Sequence, residues 1–428
     1  MKSYKYVIIG NSAAAIGAVE SIRKTDTSGS IAIISNEPHH TYSRPLISYL
    51  LLGKTDEQHM KYRADNFYEA NGITPILGVS AEKIDSGKHT VSLSDGEIIG
   101  YEKLLVATGS TPFVPPMNGL DSVDSSKKFT FATLDDAHAL SKTITSDSRV
   151  LIIGAGLIGL KCAEGILHSV KEITVVDLAP KVLSSILDDG GAAFIKSRLE
   201  SAGLKFYLGD SVDVFTNGEA KLKSGAIVGF DILVLAVGVR ANISLVKDAG
   251  GNVGRGITVN ERLETSLPDI YAAGDCTESV DISSGDVKIM ALLPNAYLQG
   301  ECAGANMTGA DKTFDKAFPM NAIGFFGTHI VTAGTYAGEV YTEEDAHKYR
   351  RLFYHDNKLS GFILIGDETN HAAFERAGIY ANLIREKTPL DSIDFELIKS
   401  TPALIAFSKT DRARKLAGVK ESELSLQF

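Results

Sequence analysis

Tyr6-Val-Ile-Ile-Gly-Asn-Ser-Ala-Ala-Ala-Ile-Gly-Ala-Val-Glu20 is an apolar run that breaks at a small-residue turn and resumes with helical spacing. The pattern predicts a strand, a tight turn and a helix. Gly10, Ser12 and Ala15 occupy the three positions at which the diphosphate of a dinucleotide meets the backbone N–H groups of a helix N-terminus. Because Ser12 stands where the usual fingerprint has its middle glycine, this stretch alone also allows an ordinary strand-to-helix turn.

A second copy of the pattern strengthens the nucleotide interpretation. Arg149-Val-Leu-Ile-Ile-Gly-Ala-Gly-Leu-Ile-Gly-Leu160 carries all three glycines, at Gly154, Gly156 and Gly159. The next apolar run ends at Asp177, where a carboxylate can accept the ribose hydroxyls of a dinucleotide. The chain is therefore predicted to hold two nucleotide sites. The acidic residue favours NAD over NADP at the second site, because a carboxylate repels a 2′-phosphate.

The segment after the first copy offers further candidate ligands. The apolar run at 30–35 predicts the second strand, and Glu37 follows it in position to hold a ribose. Tyr42-Ser-Arg-Pro45 comes next, and the fixed positive charge of Arg44 suits a diphosphate. The alternative for Arg44 is a solvated surface arginine.

Composition excludes several classes of function. The 428 residues are 44% hydrophobic and 22% charged, which is ordinary for a globular chain of two or three domains. The formal charge is −10, and no block of five like charges suggests a nucleic-acid or anionic-membrane surface. The first strand begins close to Met1, and no run of 18 apolar residues occurs, so we predict a cytoplasmic enzyme without a signal peptide or membrane span.

The cysteines predict neither a disulfide framework nor a metal site. Cys162, Cys276 and Cys302 are far apart in the chain, and none belongs to a C-x-x-C motif. Each is expected to be a small core residue rather than a nucleophile.

Periodicity predicts an α/β fold in which one nucleotide domain interrupts the other. The apolar runs 103–109 and 231–238 both end in a glycine turn, as the last strand of a mononucleotide fold does. Proline and glycine clusters at 112–121 and 239–256 mark the crossings between domains. We therefore predict a first domain from 1–115 and 245–317, a second from 116–244, and a small α+β domain from 318–428.

Three local patterns complete the prediction of structure. Turn signals at Asn71-Gly72, Ser86-Gly87 and Asp95-Gly96 predict short hairpin strands between about 60 and 100. The run Thr265-Ser-Leu-Pro-Asp-Ile-Tyr-Ala-Ala-Gly-Asp275 predicts a strand that brings Asp275 to a turn. Pro294 is predicted to lie at the start of a helix.

With these segments placed, the chain resembles the FAD-dependent pyridine-nucleotide reductases. The resemblance rests on Tyr42-Ser-Arg-Pro45, Ala107-Thr-Gly109, the Gly154 fingerprint and Tyr271-Ala-Ala-Gly-Asp275, and it spans nearly the whole chain. It is strongest to the branch with NADH:rubredoxin reductases, ferredoxin reductases and the flavin portion of NADH-dependent nitrite reductase. It implies two Rossmann-like domains, one for FAD and one for NAD, and electron transfer between NAD(H) and an iron–sulfur protein such as a rubredoxin or ferredoxin.

The resemblance also implies the cofactor ligands. Those for FAD are Gly10, Ser12, Ala15, Glu37, Arg44, Pro45, Ala81, Ala107, Thr108, Gly109, Asp275 and Pro294. Those for NAD are Gly154, Gly156, Gly159, Asp177 and Gly238. The carboxylate of Asp275 is expected to hold the ribityl chain, and the helix at Pro294 to direct its positive end at the pyrimidine side of the flavin.

Two departures from the family pattern affect the implied chemistry. Disulfide-reductase, peroxidase and coenzyme-A-disulfide relatives carry one or two reactive cysteines in the segment matching 38–50, and this chain has none there. Near the expected flavin N5, several relatives place a lysine and a glutamate, whereas this chain has Tyr49 and Lys161. Our hypothesis is that Lys161 adds positive charge there and raises the flavin reduction potential; the alternative is a side chain pointing into solvent.

Other functions and partners stay open at this stage. The flavin could pass electrons to oxygen and form hydrogen peroxide, or the protein could be a non-catalytic FAD- and NADH-binding scaffold in a larger redox complex. A homodimer is a further possibility, and either direction of electron flow fits. Candidates for a basic docking patch are Lys312, Lys316, Arg350, Arg351, Arg412 and Arg414. His39, His40 and His371 lack the spacing of metal ligands and are interpreted as structural or surface residues.

Overall fold

The computed structural model describes residues 1–216, 218–315, 317–367, 377–400 and 403–417. Lys316 and His371 lie outside these ranges. The chain forms two compact units. The first comprises 1–185, 195–281 and 286–317, and the second comprises 186–194, 282–285 and 318–428. Within the described ranges, no helix is long and apolar enough to cross a membrane.

The described strands are numbered in chain order. They are β1 Lys2–Ile9, β2 Ile31–Ser35, β3 Ile73–Leu77, β4 Ala81–Asp85, β5 Thr90–Leu93, β6 Ile98–Val106, β7 Ser110–Pro112, β8 Lys128–Phe129, β9 Arg149–Ile153, β10 Glu172–Asp177, β11 Lys205–Leu208, β12 Val212–Thr216, β13 Glu219–Leu222, β14 Ile227–Gly229, β15 Ile232–Leu235, β16 Val239–Ala241, β17 Ile270–Ala272, β18 Ser279–Val280, β19 Val287–Lys288, β20 Met320–Phe325, β21 Thr328–Gly334, β22 Glu339–Glu344, β23 Lys348–His355 and β24 Lys358–Asp367.

The described α-helices are numbered in the same way. They are α1 Ala13–Thr25, α2 Ile47–Leu51, α3 Glu57–Met60, α4 Phe67–Ala70, α5 Leu134–Thr143, α6 Leu157–Ile166, α7 Asp189–Ser201, α8 Ser244–Asp248, α9 Leu293–Met307, α10 Ala377–Arg385, α11 Phe395–Ser400 and α12 Lys409–Ala417. Short 3₁₀ turns occur at Arg44–Leu46, Leu120–Ser122, Ser125–Lys127, Leu167–Ser169, Leu390–Ser392 and Leu404–Ala406.

The first sheet of the first unit has the strand order β3-β2-β1-β6-β5-β4. Strands β3, β2, β1 and β6 are parallel, and β17 pairs in parallel with the carboxyl-terminal part of β6. The apolar run of β1 is continuous because its side chains enter buried clusters on both faces of the sheet. The carboxyl ends of β1, β2, β6 and β17 therefore meet at one edge, where a doubly wound sheet binds its ligand.

The second sheet repeats this plan in the order β11-β10-β9-β15-β8, all parallel. The crossings between the two sheets are β7 and β16, which pair antiparallel with each other. A small antiparallel sheet of β12, β13 and β14 accompanies the second fold. This arrangement agrees with the α/β class predicted from the two glycine-rich turns.

Close packing of α1 against α9 fixes the helix that follows the first turn. A Cβ at Gly17 would overlap the backbone of Tyr297, and one at Gly300 or Gly304 would overlap the backbone of Ala14 or Ala18. Glycine is thus required because the two helix backbones approach each other directly. Helix α9 begins at Leu293 with Pro294 in its first turn, which agrees with the predicted helix start.

One predicted pattern is wrong in detail. Ser86-Gly87 and Asp95-Gly96 do lie between antiparallel strands, joining β4 to β5 and β5 to β6. Asn71-Gly72 instead joins α4 to β3, and β3 pairs in parallel with β2. The turn residues identified a change of direction correctly, but they do not specify which strand the next segment pairs with.

The second unit contains a five-stranded antiparallel sheet in the order β20-β21-β24-β23-β22. One face of this sheet packs on α10, with Phe362, Leu364, Tyr380 and Leu383 in the buried cluster. The start of α7 packs on the other face, because a Cβ at Gly190 would overlap the Tyr349 ring. An antiparallel sheet with packed helices is the α+β architecture expected for the end of the chain.

Candidate cofactor-binding sites

The first glycine-rich turn follows β1 and leads into α1. Gly10 has φ of +128°, and a Cβ there would overlap the carbonyl of Ala107. The side chain of Ser12, the N-cap residue, makes no capping hydrogen bond, and Ala15 is buried in the first turns of the helix. The turn therefore presents a helix N-terminus without a side chain across it, as a bound diphosphate requires.

A pocket beside this turn contains the predicted ribose carboxylate. It is lined by Asn11, Ser12, Ser35, Glu37, His39, His40, Tyr42 and Arg44. The hydroxyl of Tyr42 donates to Glu37 Oε2 at 2.6 Å, and Arg44 forms an ion pair with Glu37 Oε1. Arg44 also donates to the carbonyl of Ala132 at 3.0 Å. The predicted residues Glu37 and Arg44 are thus in direct contact, and the Arg44 side chain is 41% exposed.

Tyr42 connects this pocket with the second nucleotide fold. Its hydroxyl accepts a hydrogen bond from Leu134 N, at the start of α5, at 3.0 Å. Burial raises the pKa of the Tyr42 phenol, so the hydroxyl stays protonated and donates to Glu37. The sequence pattern identifies Tyr42 only as part of a motif and does not predict this connecting role.

Asp275 lies after β17, at the turn that follows the last parallel strand. Burial raises the pKa of its carboxyl to about 6, although the charge of Arg44 acts in the opposite direction. The described residues donate no hydrogen bond to this carboxylate that would lower its pKa. Gln299 on α9 holds this turn, because its Oε1 accepts a hydrogen bond from Gly274 N at 2.6 Å. A desolvated carboxylate without a protein partner fits a polyhydroxylated ligand.

The turn Ala107-Thr-Gly109 follows β6 and faces the first turn. Gly109 has φ of +63°, and no heavy atom lies within 4 Å of the position of an added Cβ. Asn242, in the return crossing, holds this turn. Its amide donates to the Thr108 carbonyl at 2.8 Å, and its backbone N–H donates to the Gly109 carbonyl at 3.0 Å. No sequence signal pointed to Asn242.

The second glycine-rich turn has the geometry that its sequence predicted. Gly154 has φ of +116°, and a Cβ on it would overlap the Ala236 carbonyl. A Cβ on Gly159 would overlap the Gly154 carbonyl, whereas Gly156 has open space around that position. The middle glycine thus leaves room for a ligand, and the third allows the helix to approach the strand.

Asp177 closes the second site at the end of β10. Its Oδ2 accepts from Ala155 N at 2.6 Å, and its Oδ1 accepts from Ala179 N at 2.7 Å. Each oxygen keeps a second acceptor site for a ribose hydroxyl. Gly238, after β15, has φ of +109° and open space beside it.

Lys161 and Tyr49 meet between α6 and α2. The Lys161 ammonium lies 4.2 Å from the centroid of the Tyr49 ring, and it forms an ion pair with Glu164. The Lys161 side chain is 16% exposed and that of Glu164 is 7% exposed. Lys161 therefore does not point into solvent, and a carboxylate accompanies its charge. Glu164 was missed, although its spacing of three residues on a helix could have identified it.

The remaining predicted residues occupy varied positions. Pro45 is exposed in the 3₁₀ turn that follows Ser43, and Ala81 begins β4 and packs against the core of the first sheet. His39 pairs with Asp135 at 2.9 Å. Four candidates for a basic patch have acidic partners: Lys312 with Glu301, Arg350 with Glu343, Arg351 with Asp188, and Arg414 with Asp411. These charges do not form a free basic surface.

All three cysteines are buried. Cys162 and Cys276 are fully inaccessible, and Cys302 is 1% exposed. Burial raises the pKa of each thiol, which keeps it in the unreactive protonated form. Their positions agree with the prediction that they are core residues.

The arrangement defines a class of protein: two mononucleotide folds, each with a glycine-rich turn, an open helix N-terminus and a ribose-type carboxylate. The Asp275 carboxylate, which has no hydrogen-bond partner among the described residues, and the open turns at Gly109 and Gly156 fit bound FAD and a nicotinamide dinucleotide. Comparison with known families agrees, because residues 4–300 match the family model described as pyridine nucleotide-disulphide oxidoreductase. The chain belongs to this family.

Individual relatives support the assignment. The chain is 30% identical over 399 residues to the NADH-dependent phenylglyoxylate dehydrogenase subunit epsilon of Aromatoleum evansii, covering 90% of this chain and 92% of that one. It is 28% identical to the NADH-rubredoxin oxidoreductase of Clostridium acetobutylicum, covering 86% and 92%. Other relatives are longer, and the chain spans about half of their length.

Solved structures share the fold. The crystal structure of the covalent putidaredoxin reductase–putidaredoxin complex superimposes with a TM-score of 0.82 at 21% identity, covering 98% of this chain and 100% of that chain. The predicted family and fold class are confirmed. The protein is an oxidoreductase that uses FAD and NAD(H). The family name refers to a disulphide, yet the segment at 38–50 contains no cysteine.

Proposed function

We propose that this protein moves electrons between NAD(H) and an iron–sulfur protein of the rubredoxin or ferredoxin type, through FAD and without a redox-active cysteine. The observation that carries the proposal is the combination of two intact nucleotide folds with three buried thiols. A thiol relay needs an accessible thiolate near the flavin, so electrons are proposed to leave the flavin directly.

Bound FAD supplies the exchange between two-electron chemistry with a nicotinamide and one-electron chemistry with an iron–sulfur cluster. The protein supplies position and electrostatics. Glu37 and Arg44 are proposed to hold the adenosine diphosphate part, and Asp275 the ribityl chain. Asp177 and the Gly154 turn are proposed to hold NADH, with the helix N-terminus directed at its diphosphate. These fixed elements would align the two bound cofactors, which would lower the entropic cost of the reaction between them.

The relatives support an iron–sulfur partner and leave its identity open. One is an NADH-rubredoxin oxidoreductase, and a matching fold was solved in a covalent complex with putidaredoxin. Because the chain carries a net charge of −10, docking of an acidic partner would need a local positive surface rather than the overall field. We propose that the protein works in the cytoplasm, where NADH is available.

A second candidate is a subunit of a larger redox complex, in which an iron–sulfur subunit reduces the flavin and NAD⁺ is the final acceptor. The favouring observation is the Aromatoleum evansii relative, a dehydrogenase subunit of which 92% is covered. In such a complex the protein could also act as a cofactor-binding scaffold, whereas a free reductase could be a homodimer. An NADH oxidase that forms hydrogen peroxide is the third candidate.

One experiment separates these candidates. Purified FAD-loaded protein is mixed with NADH, and flavin reduction and reoxidation are followed by stopped flow with rubredoxin, ferredoxin or oxygen as the acceptor. Fast reoxidation by an iron–sulfur protein is expected. Comparable turnover with oxygen would favour the oxidase, and slow reoxidation by every acceptor would favour the scaffold. The same assay with NADPH tests the preference assigned to Asp177.

We also propose that Lys161 and Glu164 together set the charge near the reacting ring. Because they form a buried pair, each side chain is expected to shift the flavin midpoint potential in the opposite direction when it is removed. Lys161→Met should lower the potential and Glu164→Gln should raise it, while the double variant should lie close to the native value. Unchanged potentials in the three single variants Lys161→Met, Lys161→Glu and Glu164→Gln would exclude this role.

A further inference from the structure

The loop that follows β10, residues 178–185, bonds directly to the second glycine-rich turn. Leu183 on this loop is fully buried and has φ of +49°, a left-handed conformation that a leucine keeps only where its surroundings fix it. Its N–H donates to the Ala155 carbonyl at 2.9 Å. Ala155 lies between the first two glycines of the turn, and its own N–H donates to Asp177. The conformation of the loop therefore affects the turn proposed to hold the diphosphate of NADH.

The chain that continues from this loop is attached to the sheet of the second unit. Residues 186–194 belong to that unit. The Tyr336 hydroxyl donates to the Ile186 carbonyl at 2.6 Å. A Cβ on Gly191 would lie 3.3 Å from atoms of both Tyr349 and Ile365, so the start of α7 contacts β23 and β24 closely. Both ends of the short 178–185 loop are thus fixed.

Asp188 is the centre of this attachment. Its carboxylate oxygens lie 2.9 Å from the Tyr349 hydroxyl and 2.7 Å from Arg351 Nη1, and Oδ1 also accepts from Gly191 N at 2.9 Å. Burial raises the pKa of the Tyr349 phenol, so its hydroxyl stays protonated and donates. The Asp188 side chain is 15% exposed, so these charge-assisted bonds are largely shielded from water. We refer to Asp188, Tyr349 and Arg351 as the β23 anchor.

The anchor has a use beyond stability. A buried ion pair adds little net stability compared with apolar packing, and its best-attested use is to fix one arrangement of the chain. The arrangement fixed here is the start of α7, immediately beyond the 178–185 loop. Because that loop is short and contains a strained residue, releasing its far end would allow Leu183 to relax and would free the Ala155 carbonyl.

We propose that the β23 anchor positions the 178–185 loop for NADH, so that its three residues set the affinity for the coenzyme without contacting it. With the anchor intact, the loop and the Gly154 turn are ordered before NADH arrives. Without the anchor, NADH binding has to order them, and this entropic cost lowers the affinity. The inference rests on the proposed NADH site at Asp177 and the Gly154 turn.

Stopped-flow reduction of the FAD-loaded protein separates affinity from chemistry. The rate of flavin reduction at increasing NADH concentration gives a dissociation constant and a limiting rate. Asp188→Ala and Arg351→Met should each raise the dissociation constant for NADH by about two- to thirtyfold. The limiting rate should stay within about twofold of the wild-type rate, because the anchor acts on binding and not on the hydride step. Arg351→Lys keeps a positive charge and should recover most of the affinity.

A double variant tests whether Arg351 acts through Asp188. In the Asp188→Ala background, Arg351→Met should cause no further rise in the NADH dissociation constant, whereas independent losses would multiply. Arg350→Met is the matched control. Arg350 is the adjacent residue on β23, and its side chain lies on the opposite face of the sheet, where it pairs with Glu343 and the Lys399 carbonyl. This variant should lower the melting temperature and leave the NADH dissociation constant unchanged.

Two results would overturn the inference. One is a wild-type NADH dissociation constant in Asp188→Ala and Arg351→Met proteins that bind FAD normally. The other is an equal rise in Arg350→Met, which would show a general effect of destabilising the second unit. If Asp188→Ala does not fold, the comparison of Arg351→Met, Arg351→Lys and Arg350→Met decides the question.

A further variant separates failure of this inference from failure of the proposed NADH site. Gly156→Ala places a methyl group at the proposed diphosphate position and should weaken NADH binding. If it does so while the anchor variants bind NADH normally, only the role of the anchor is rejected. If Gly156→Ala also binds NADH normally, the proposed site is rejected, and the inference with it.

Discussion

At the scale of single residues, Asp275 joins the fold to the chemistry. Strand β17 brings its carboxylate to the turn. The carboxylate loses water on folding, and the described residues donate no hydrogen bond that would lower its pKa. Such a group destabilises the apoprotein when it is charged. The cost is consistent with a group whose partner is the cofactor, since ligand sites commonly contain residues that are unfavourable for the free protein.

Replacing Asp275 should therefore have opposite effects on stability and on binding. The folded-state pKa of about 6 lies above the ordinary value of 3.8, so the folded apoprotein holds its proton to higher pH than the unfolded chain. Stability is lost as the pH rises between these two values, and the loss is constant above about pH 6. Asp275→Asn should raise the melting temperature of the apoprotein at about pH 7.5, with a smaller increase at about pH 4.5.

The same variant should bind FAD more weakly, because an amide replaces a charged acceptor. Differential scanning calorimetry across this pH range, with titration of FAD into the apoprotein, provides both measurements. Asp147→Asn, at an exposed aspartate, is the control and should change neither. A variant less stable than the wild-type apoprotein at about pH 7.5 would contradict the account of Asp275.

Some residue roles could be predicted from sequence and others could not. Glu37, Asp177 and Asp275 each follow an apolar run, and the carboxyl ends of parallel strands meet at one edge, so their location was predictable. Asn242 and Tyr42 act through contacts between distant segments, and no local pattern specifies such contacts. Lys161 was identified, but its partner Glu164 was not, because the hypothesis considered charge near the flavin and not the neighbouring turn of the helix.

At the scale of elements, the second glycine-rich turn separates folding from binding. Gly159 is needed by the fold, because its Cα approaches the Gly154 carbonyl, while Gly156 has open space and φ of −84°. The sequence motif gives the three glycines equal weight. The structure assigns a packing role to Gly159, whereas Gly156 faces the space where a ligand would lie.

Alanine at these two positions should produce different defects. Gly159→Ala should destabilise the apoprotein by about 1–3 kcal/mol, because the added methyl meets backbone that cannot move aside. Gly156→Ala should leave stability within about 1 kcal/mol of the wild type but weaken NADH binding, because its methyl occupies the path of the diphosphate. Urea unfolding of the apoproteins and NADH titration of the FAD-loaded proteins test this. Equal stability losses in the two variants would contradict the assignment.

The elements themselves were predictable to different degrees. The strands, turns and helices of both nucleotide folds, and the helix at Pro294, follow from apolar runs, glycines and proline. The pairing of β3 with β2 did not follow, because a turn signal carries no information on strand order. Likewise, sequence periodicity did not place 186–194 and 282–285 in the second unit, since that assignment depends on contacts distant in the chain.

At the scale of the whole molecule, the distribution of cysteine restricts the route of electrons. The two glycine-rich turns both lie in the first unit, and the three thiols are buried: Cys162, Cys276 and Cys302. Each thiol has a raised pKa, so the nucleophilic thiolate is disfavoured at neutral pH. Under the proposed function, electrons therefore leave the flavin without a thiol relay, although the family is named for a disulphide.

This route predicts that electron transfer is insensitive to thiol chemistry. Native protein treated with iodoacetamide at neutral pH should keep its NADH-dependent reduction of an iron–sulfur acceptor, because buried protonated thiols react slowly. The urea-unfolded protein should instead take up label at all three cysteines, which verifies the reagent. A second test is the triple variant Cys162→Ala, Cys276→Ala, Cys302→Ala, which should lose about 1 kcal/mol of stability per site and retain its rate per bound flavin. Two results would show that a cysteine takes part in electron transfer. One is loss of turnover that follows alkylation of a single cysteine. The other is a flavin that NADH reduces in the triple variant but that the acceptor no longer reoxidises.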